Sequence, residues 1–140
     1  MSKKIKLPNG YRPSDDEPFM SARQRAYFET KLLIWKDDIV RSNRATLEYL
    51  QHDSARHADI ADRATSETDR ALELRARDRQ RKLIAKIDDA LMRLENGTYG
   101  FCEDTGESIG LKRLDARPIA TLSVEAQEQH ERLERVYRND

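Results

Sequence analysis

Four positions in the C-terminal third of the chain have the spacing of a zinc-ribbon ligand set, C-x2-C-x17-C-x2-C. The single cysteine, Cys102, takes the first position, and the other three fall on Thr105, Ser123 and Ala126. A structural zinc site needs about four nitrogen or sulfur ligands in a tetrahedral array. Because three of the four positions cannot supply a thiolate, we expect no zinc here. Recruitment of His130 or of an acidic side chain is the remaining route to a metal site.

Hydrogen bonds and packing can take over the role of the missing metal ligands. Ser123 stands where a final helix should begin, so its hydroxyl can cap free N–H groups, and Thr105 with Gly106 can close a turn. Each such bond contributes only ~1 kcal/mol, so packing must supply the rest. We therefore interpret Cys102 as a small buried side chain, with a redox-sensing thiol as the alternative.

Two carboxylates stand near the middle of the chain, at Asp59 and Asp62, with Ala64 beyond them. They can simply cap a helix that returns after a reversal. Alternatively, a long helical arm carries them to a metal or to a basic cluster in a partner. Spacing alone leaves both interpretations open.

The densest positive cluster lies in 75-RARDRQRKLIAKI-87. At helical spacing its arginines and lysines spread around the helix, and nearby acids can pair with them. No aromatic residues or groove-reading motif accompany the cluster, so we expect no direct, specific DNA binding. A phosphate-bearing ligand near Lys86 is compatible with the pattern.

The sequence offers no catalytic motif. It has neither a phosphate-binding loop nor a nucleophile elbow, and its three histidines form no metal-binding pair with a partner acid. We expect a protein that is not an enzyme.

Composition narrows the class of protein further. The 26 basic and 26 acidic side chains cancel, so no overall field draws the chain toward nucleic acid or membrane. The longest apolar run, 32–35, is far short of the ~20 residues that a membrane span requires. A lone cysteine cannot form an internal disulfide, and Pro8 follows the basic start where a signal peptide would be apolar. These features favour the cytoplasm.

Long helices must position these groups. From Phe19 to Asn96 the chain has no glycine or proline, which favours helix because either residue costs ~1 to 3 kcal/mol inside one. Apolar residues recur at helical spacing in the first half (Phe28, Leu32, Trp35, Ile39, with Leu33, Val40 and Leu47 at intervals of seven) and in the second (Ile84, Ile87, Leu91, Leu94). We predict that the two halves pair as an antiparallel hairpin that reverses near 57–62.

The predicted fold is therefore mainly α: a long antiparallel two-helix coiled-coil arm, a small zinc-ribbon-like globular module and a C-terminal helix. We predict an extended N-terminal segment at 1–18, the hairpin at 19–96 with its tip near 57–64, and the module with its helix at 97–140. The module is too small for a core of its own. It should pack on the base of the arm, against Trp35 and Phe28.

Four stretches of the chain form a specific combined pattern: 24-QRAYFETKLLIWKDDI-39, 59-DIADRA-64, 74-LRARDRQRKLIAKI-87 and 97-GTYGFCEDTGESIGLKRLDARP-118. Together they resemble the DksA/TraR family of RNA polymerase secondary-channel regulators, and the missing cysteines match the branch of that family that has lost its zinc ligands. The resemblance implies that the arm enters the polymerase channel and that its tip destabilises promoter open complexes at ribosomal RNA-type promoters. It also implies synergy with the nucleotide ppGpp in the stringent response.

The resemblance also assigns residues. The tip pattern D-x-x-D-x-A of the family falls on Asp59, Asp62 and Ala64. The positions that face ppGpp or the polymerase fall on Leu83, Lys86, Arg117 and Arg79. A further basic position of the family is Gln127 here. Loss of one charge-assisted phosphate contact, worth ~1.5 to 3 kcal/mol, should weaken ppGpp binding.

Two other functions use a similar arm. A transcript-cleavage factor would bring its acidic tip to the catalytic Mg²⁺ of the polymerase, and a structural coiled-coil adaptor would pair with itself. The regulator should instead be a monomer.

Overall fold

The computed structural model describes residues 6–56 and 60–138, with side chains described except at 46, 47, 49–56 and 60–65. Its helices in these ranges are α1 (Ala22–Arg56), α2 (Ile60–Asn96), α3 (Leu111–Ala116) and α4 (Val124–Arg138). The chain divides into two units, one made of Met1–Leu32 with Asp89–Asp140 and the other of Leu33–Asp88. The predicted mainly α class is confirmed.

The first helix begins at a serine cap. The Ser21 hydroxyl accepts a hydrogen bond from the Gln24 backbone N–H at 3.3 Å. The Gln24 side chain is fully buried, accepts from the Met20 N–H at 2.7 Å and donates to the Ser14 carbonyl at 3.0 Å. Residues 14–20 thus form turns fastened to the helix, whereas the sequence predicts an extended segment at 1–18. The reason is that a buried amide must satisfy both of its ends.

The second helix ends where the sequence predicts. Gly97 has a φ of 81°, a left-handed conformation that glycine adopts without steric cost. The Thr98 N–H then reaches back to the Arg93 carbonyl at 2.9 Å, which is the bond of a Schellman cap. The predicted stop at Asn96–Gly97 is confirmed.

The unit Leu33–Asp88 contains two paired helical segments. Lys36 Nζ lies 2.6 Å from Asp88 Oδ1 although the two residues are 52 positions apart. Because only three residues separate α1 from α2 in the chain, helices in contact at these positions must run antiparallel. Ile39 and Ile87 are buried, but Leu33 and Val40 are exposed and therefore do not belong to a buried seam as their spacing predicts. Positions 57–59, where the reversal is predicted, lie outside the described residues.

The other unit has its core where the module meets the start of α1. Phe28 and Tyr99 are buried with their ring centroids 5.6 Å apart. This contact confirms Phe28 as a partner of the module, whereas Trp35 belongs to the unit Leu33–Asp88. Leu114 is also fully buried in this unit.

The short helix α3 is absent from the sequence-based prediction, which treats 97–122 as a series of turns. Leu111 and Leu114 have helical spacing, and Leu114 is buried. The helix ends just before Pro118, which disfavours helical conformation in the residue ahead of it. Burial of one leucine thus stabilises a helix of about one and a half turns, which is too short to show a periodic apolar pattern in the sequence.

Candidate functional site

The knuckle around Cys102 is closed by backbone hydrogen bonds. The Cys102 N–H donates to the Glu107 carbonyl at 2.7 Å, and the Gly106 N–H donates to the Cys102 carbonyl at 2.9 Å. Gly106 has a φ of 74°, which a tight reversal requires. Main-chain bonds therefore close the turn, and the Thr105 hydroxyl adds a side-chain bond by accepting from the Glu107 N–H at 3.3 Å.

Gly100 is required by its surroundings as well as by its conformation. It has a φ of 90°, and a Cβ atom there would lie 3.1 Å from the Phe19 ring and 3.3 Å from the Met20 side chain. Phe19 also contacts Phe101 edge to face, with centroids 5.4 Å apart. The aromatic-Gly-aromatic run thus joins the knuckle to the turn that precedes α1.

The Cys102 thiol is buried, and the donor groups that act on it belong to the knuckle turn and to Ser123 at the start of α4. Burial acts to raise the pKa of Cys102, but the Thr105 hydroxyl and the backbone N–H groups of Ser123, Thr105 and Asp104 outweigh it and lower the pKa to about 6. Donors that converge on a sulfur atom favour its thiolate form. The site therefore stabilises an anionic sulfur with dipoles of the protein.

The other three knuckle positions do not fit a zinc ion. Thr105 Oγ1 accepts from the Glu107 N–H at 3.3 Å, and Ser123 Oγ accepts from the Ala126 N–H at 3.2 Å. The Ala126 side chain is buried and has no atom that could ligate a metal. Within the described part of the chain, no group of three or more histidine, cysteine or acidic side chains could hold a metal. The predicted capping role of Ser123 at α4 is confirmed.

His130 bonds to an acid of the knuckle. Its Nε2 lies 2.6 Å from Asp104 Oδ2, and both side chains are about half exposed. This contact connects α4 to the turn that contains Cys102. The sequence suggests His130 only as a candidate metal ligand, whereas the structure places it in a bond to Asp104.

A fastened loop presents Arg117, the arginine of the DARP sequence, after α3. The Arg117 N–H donates to the Arg113 carbonyl at 2.7 Å, and the Arg117 carbonyl accepts from Ala120 at 3.0 Å. The buried Tyr99 hydroxyl donates to the Pro118 carbonyl at 2.8 Å. The backbone of the loop is therefore fixed while the Arg117 side chain is exposed.

Asp115, two residues before Arg117, is held by α1. Lys31 Nζ lies 2.7 Å from Asp115 Oδ1 and 2.6 Å from the Asp115 carbonyl oxygen, and the Tyr27 hydroxyl donates to Oδ1 at 2.6 Å. The bonds from Lys31, and then from Tyr27, lower the pKa of Asp115. Burial, and then the bond to Asp115, raise the pKa of Tyr27 to about 12. No local sequence pattern indicates this cluster, because Asp115 lies more than 80 residues from both Tyr27 and Lys31.

On α2, the predicted positions Arg79, Leu83 and Lys86 share one face because they are spaced at i, i+4 and i+7. Arg79 and Lys86 are exposed and Leu83 is half-buried. Arg79 also lines a shallow hollow with Leu72, Leu74, Arg75 and Asp78. These residues belong to the unit Leu33–Asp88, and Arg117 belongs to the other unit.

The remaining predicted positions lie at the tip and on α4. Asp59 lies outside the described residues. The backbone of Asp62 and Ala64 belongs to α2, but their side chains are not among those described. Gln127 is half-buried and its Nε2 donates to Glu131 Oε1 at 3.4 Å. No helix in the described ranges is long and apolar enough to cross a membrane.

Known proteins match the chain over nearly its full length. The model of the DnaK suppressor protein DksA, N-terminal domain, matches residues 24–94, and that of the prokaryotic dksA/traR C4-type zinc finger matches 97–132. The RNA polymerase-binding transcription factor DksA of Caulobacter vibrioides is 68% identical over 130 residues, which are 93% of this chain and 92% of that protein. The chain belongs to the DksA family. The resemblance to this family seen in the sequence is thereby confirmed, and its placement in the branch that has lost the zinc ligands stays a prediction.

More distant members agree. The RNA polymerase-binding transcription factor DksA of Escherichia coli K12 is 38% identical and covers 82% of this chain and 76% of its own length. The solved structure of transcription factor DksA2 from Pseudomonas aeruginosa aligns with a TM-score of 0.78 and 41% identity, over 84% of this chain and 90% of that one. The C4-type zinc-finger model matches the module even though three of its four cysteines are absent here.

Proposed function

We propose that this protein binds bacterial RNA polymerase in the cytoplasm and regulates transcription as a monomer, without chemistry of its own. The observation that carries the proposal is the 68% identity, over 93% of the chain, to a protein named RNA polymerase-binding transcription factor DksA. The family pattern D-x-x-D-x-A is complete at Asp59, Asp62 and Ala64.

The hairpin formed by 19–96 enters the secondary channel and brings its tip, 57–64, near the catalytic centre. Asp59 and Asp62 then disturb mobile elements of the polymerase and destabilise promoter open complexes at ribosomal RNA-type promoters. Support comes from the unit Leu33–Asp88, where Arg75, Arg79 and Lys82 are exposed and an ion pair joins Lys36 to Asp88. A hairpin with such a charged surface suits a narrow, solvated channel.

The nucleotide ppGpp acts with the protein at the polymerase interface, as part of the stringent response. Two groups of residues face it: Leu83 and Lys86 on one face of α2, together with the polymerase-facing Arg79, and Arg117 on the fastened loop. Guanidinium and ammonium groups are the usual donors to phosphate oxygens. Gln127 supplies no positive charge, so ppGpp should bind more weakly than it would with a basic residue there.

The globular module folds without zinc. Support comes from the backbone bonds that close the knuckle and from the hydroxyls of Thr105 and Ser123, which accept hydrogen bonds from main-chain N–H groups. Elemental analysis of the purified protein should find less than stoichiometric metal. Stoichiometric zinc that is released only by denaturation would contradict this part of the proposal.

The deciding experiment measures the lifetime of open complexes at a ribosomal RNA promoter with purified bacterial RNA polymerase, with and without ppGpp. The protein should shorten the lifetime, and Asp62→Asn should bind polymerase equally well but shorten it far less. An unchanged lifetime despite binding would refute the proposal. Shortening of RNA from its 3′ end in backtracked complexes would indicate a cleavage-stimulating factor instead, and a dimer in sedimentation would indicate a coiled-coil adaptor.

A further inference from the structure

The ion pair between Lys31 and Asp115 neutralises a carboxylate that stands two residues before Arg117. Lys31 contacts both the carboxylate and the main-chain carbonyl of Asp115, and Tyr27 donates to the same carboxylate oxygen. Arg12 adds a weaker attraction from further away. The Asp115 carboxylate is thus turned toward α1 and bound there.

Arg117 has no carboxylate partner in the part of the chain that the structure describes. Its main chain is held by bonds that do not involve Lys31, namely those to Arg113 and Ala120, with the neighbouring Pro118 carbonyl bonded to Tyr99. Arg117 also lies outside α3 at its C-terminal cap, with a φ of −140°. Inside a helix, residues two positions apart point in different directions. Because Arg117 lies outside the helix, this geometry does not keep its side chain away from that of Asp115.

We propose that Lys31 is a positioning residue that keeps Asp115 away from Arg117 and so leaves the Arg117 guanidinium available to a phosphate group. This inference rests on the proposed function, in which Arg117 faces ppGpp. Without Lys31, the carboxylate two residues away competes with phosphate for Arg117 and repels the anion. The loop itself stays in place because its own main-chain bonds remain.

The test titrates ppGpp into open complexes that contain RNA polymerase and saturating amounts of the full-length protein. The quantity measured is the midpoint, the ppGpp concentration that gives half of the nucleotide-dependent change in open-complex lifetime. Lys31→Met should raise this midpoint about two- to fivefold, the effect of one surface charge left without its partner. The lifetime in the absence of ppGpp should not change. Lys31→Met/Asp115→Asn should return the midpoint to the wild-type value, because the competing charge is gone.

Two further variants separate a charge effect from a loss of structure. Asp115→Asn breaks the same ion pair but should not raise the midpoint. Lys36→Met breaks a closely similar ion pair in the other unit, 2.6 Å long with side chains 36% and 50% exposed, compared with 2.7 Å, 37% and 47% for Lys31 and Asp115. It should leave the midpoint unchanged. Asp88, released from Lys36, cannot compete for Lys86 two residues before it, because the two side chains lie on different faces of α2.

Several outcomes would overturn the inference: a Lys31→Met midpoint equal to that of the wild type, a double variant as weak as Lys31→Met, or an equal shift from Lys36→Met. A wild-type protein that shortens the lifetime but does not respond to ppGpp would refute the inference and the role of the nucleotide while leaving polymerase regulation intact. A wild-type protein without any effect on the lifetime would refute the proposed function as well.

Discussion

Removing the hydroxyl of Tyr99 tests whether its hydrogen bond to the Pro118 carbonyl fastens the loop that carries Arg117. The Tyr99 ring is 2% exposed, and its hydroxyl donates to the Pro118 carbonyl at 2.8 Å. Tyr99→Phe keeps the ring and its contact with Phe28 but leaves a buried carbonyl without this donor. An unsatisfied buried group costs about 1 to 3 kcal/mol. We expect the free energy of unfolding to fall by about 1 to 2 kcal/mol, toward the lower end because the ring still fills its site.

Thermal unfolding followed by circular dichroism measures the effect. For a chain of this length, a loss of 1 to 2 kcal/mol lowers Tm by about 3 to 7 °C. Tyr137→Phe is the matched control, because Tyr137 is 76% exposed on α4 and its hydroxyl is already in water. It should not change Tm. Equal stability of Tyr99→Phe and the wild type, or equal losses in both variants, would refute the assignment of this bond as a fastener of the loop.

Three further predictions concern the knuckle and its neighbours. The pKa of Cys102 is lowered to about 6, so the folded state favours the thiolate. The stability that the wild type gains from this thiolate, measured relative to Cys102→Ala, should be complete above the ordinary thiol pKa and be lost as the pH falls from about 9 to 6. Denaturant titrations of both proteins at several pH values measure this, and a stability difference that does not depend on pH would contradict it. Gly100→Ala should destabilise the protein by about 1 to 3 kcal/mol, because a φ of 90° strains a residue with a Cβ atom and the Phe19 ring, 3.1 Å away, would have to shift. An unchanged urea midpoint would contradict this. Ser123→Ala should cost about 1 kcal/mol through loss of the cap on the Ala126 N–H, whereas Ser123→Asp, which keeps an acceptor, should cost less.

Local signals in the sequence account for much of the helical framework. The absence of glycine and proline between Phe19 and Asn96 predicts α1 and α2, and Asn96–Gly97 predicts the end of α2 because a left-handed cap has a simple residue code. Ser123 marks the start of α4 for a similar reason. The pattern does not distinguish which apolar residues are buried, since Leu33 repeats as regularly as Leu32 and yet is exposed.

Contacts between residues distant in the chain explain the rest. The fastening of the N-terminal turns depends on Gln24, a polar residue whose burial no hydrophobic pattern reveals. The cluster of Lys31, Tyr27 and Asp115 unites α1 with the end of α3, and each member alone looks like an ordinary surface residue. The candidate tip at Asp59 and Asp62 and the candidate ppGpp-facing positions rest on the family resemblance, because nothing in the physical chemistry of the sequence distinguishes them from ordinary solvated residues.

The buried amide of Gln24 gives the turn before α1 a built-in spectroscopic reporter. The Met20 N–H lies outside any helix, yet it donates to Gln24 Oε1 at 2.7 Å, and the other end of the same amide is bonded to Ser14. Its hydrogen should therefore exchange with solvent deuterium only when the turn detaches from α1. Comparison of this single exchange rate in the free protein and in its complex with polymerase would show whether docking loosens or tightens the N-terminal segment, at a site far along the chain from the tip.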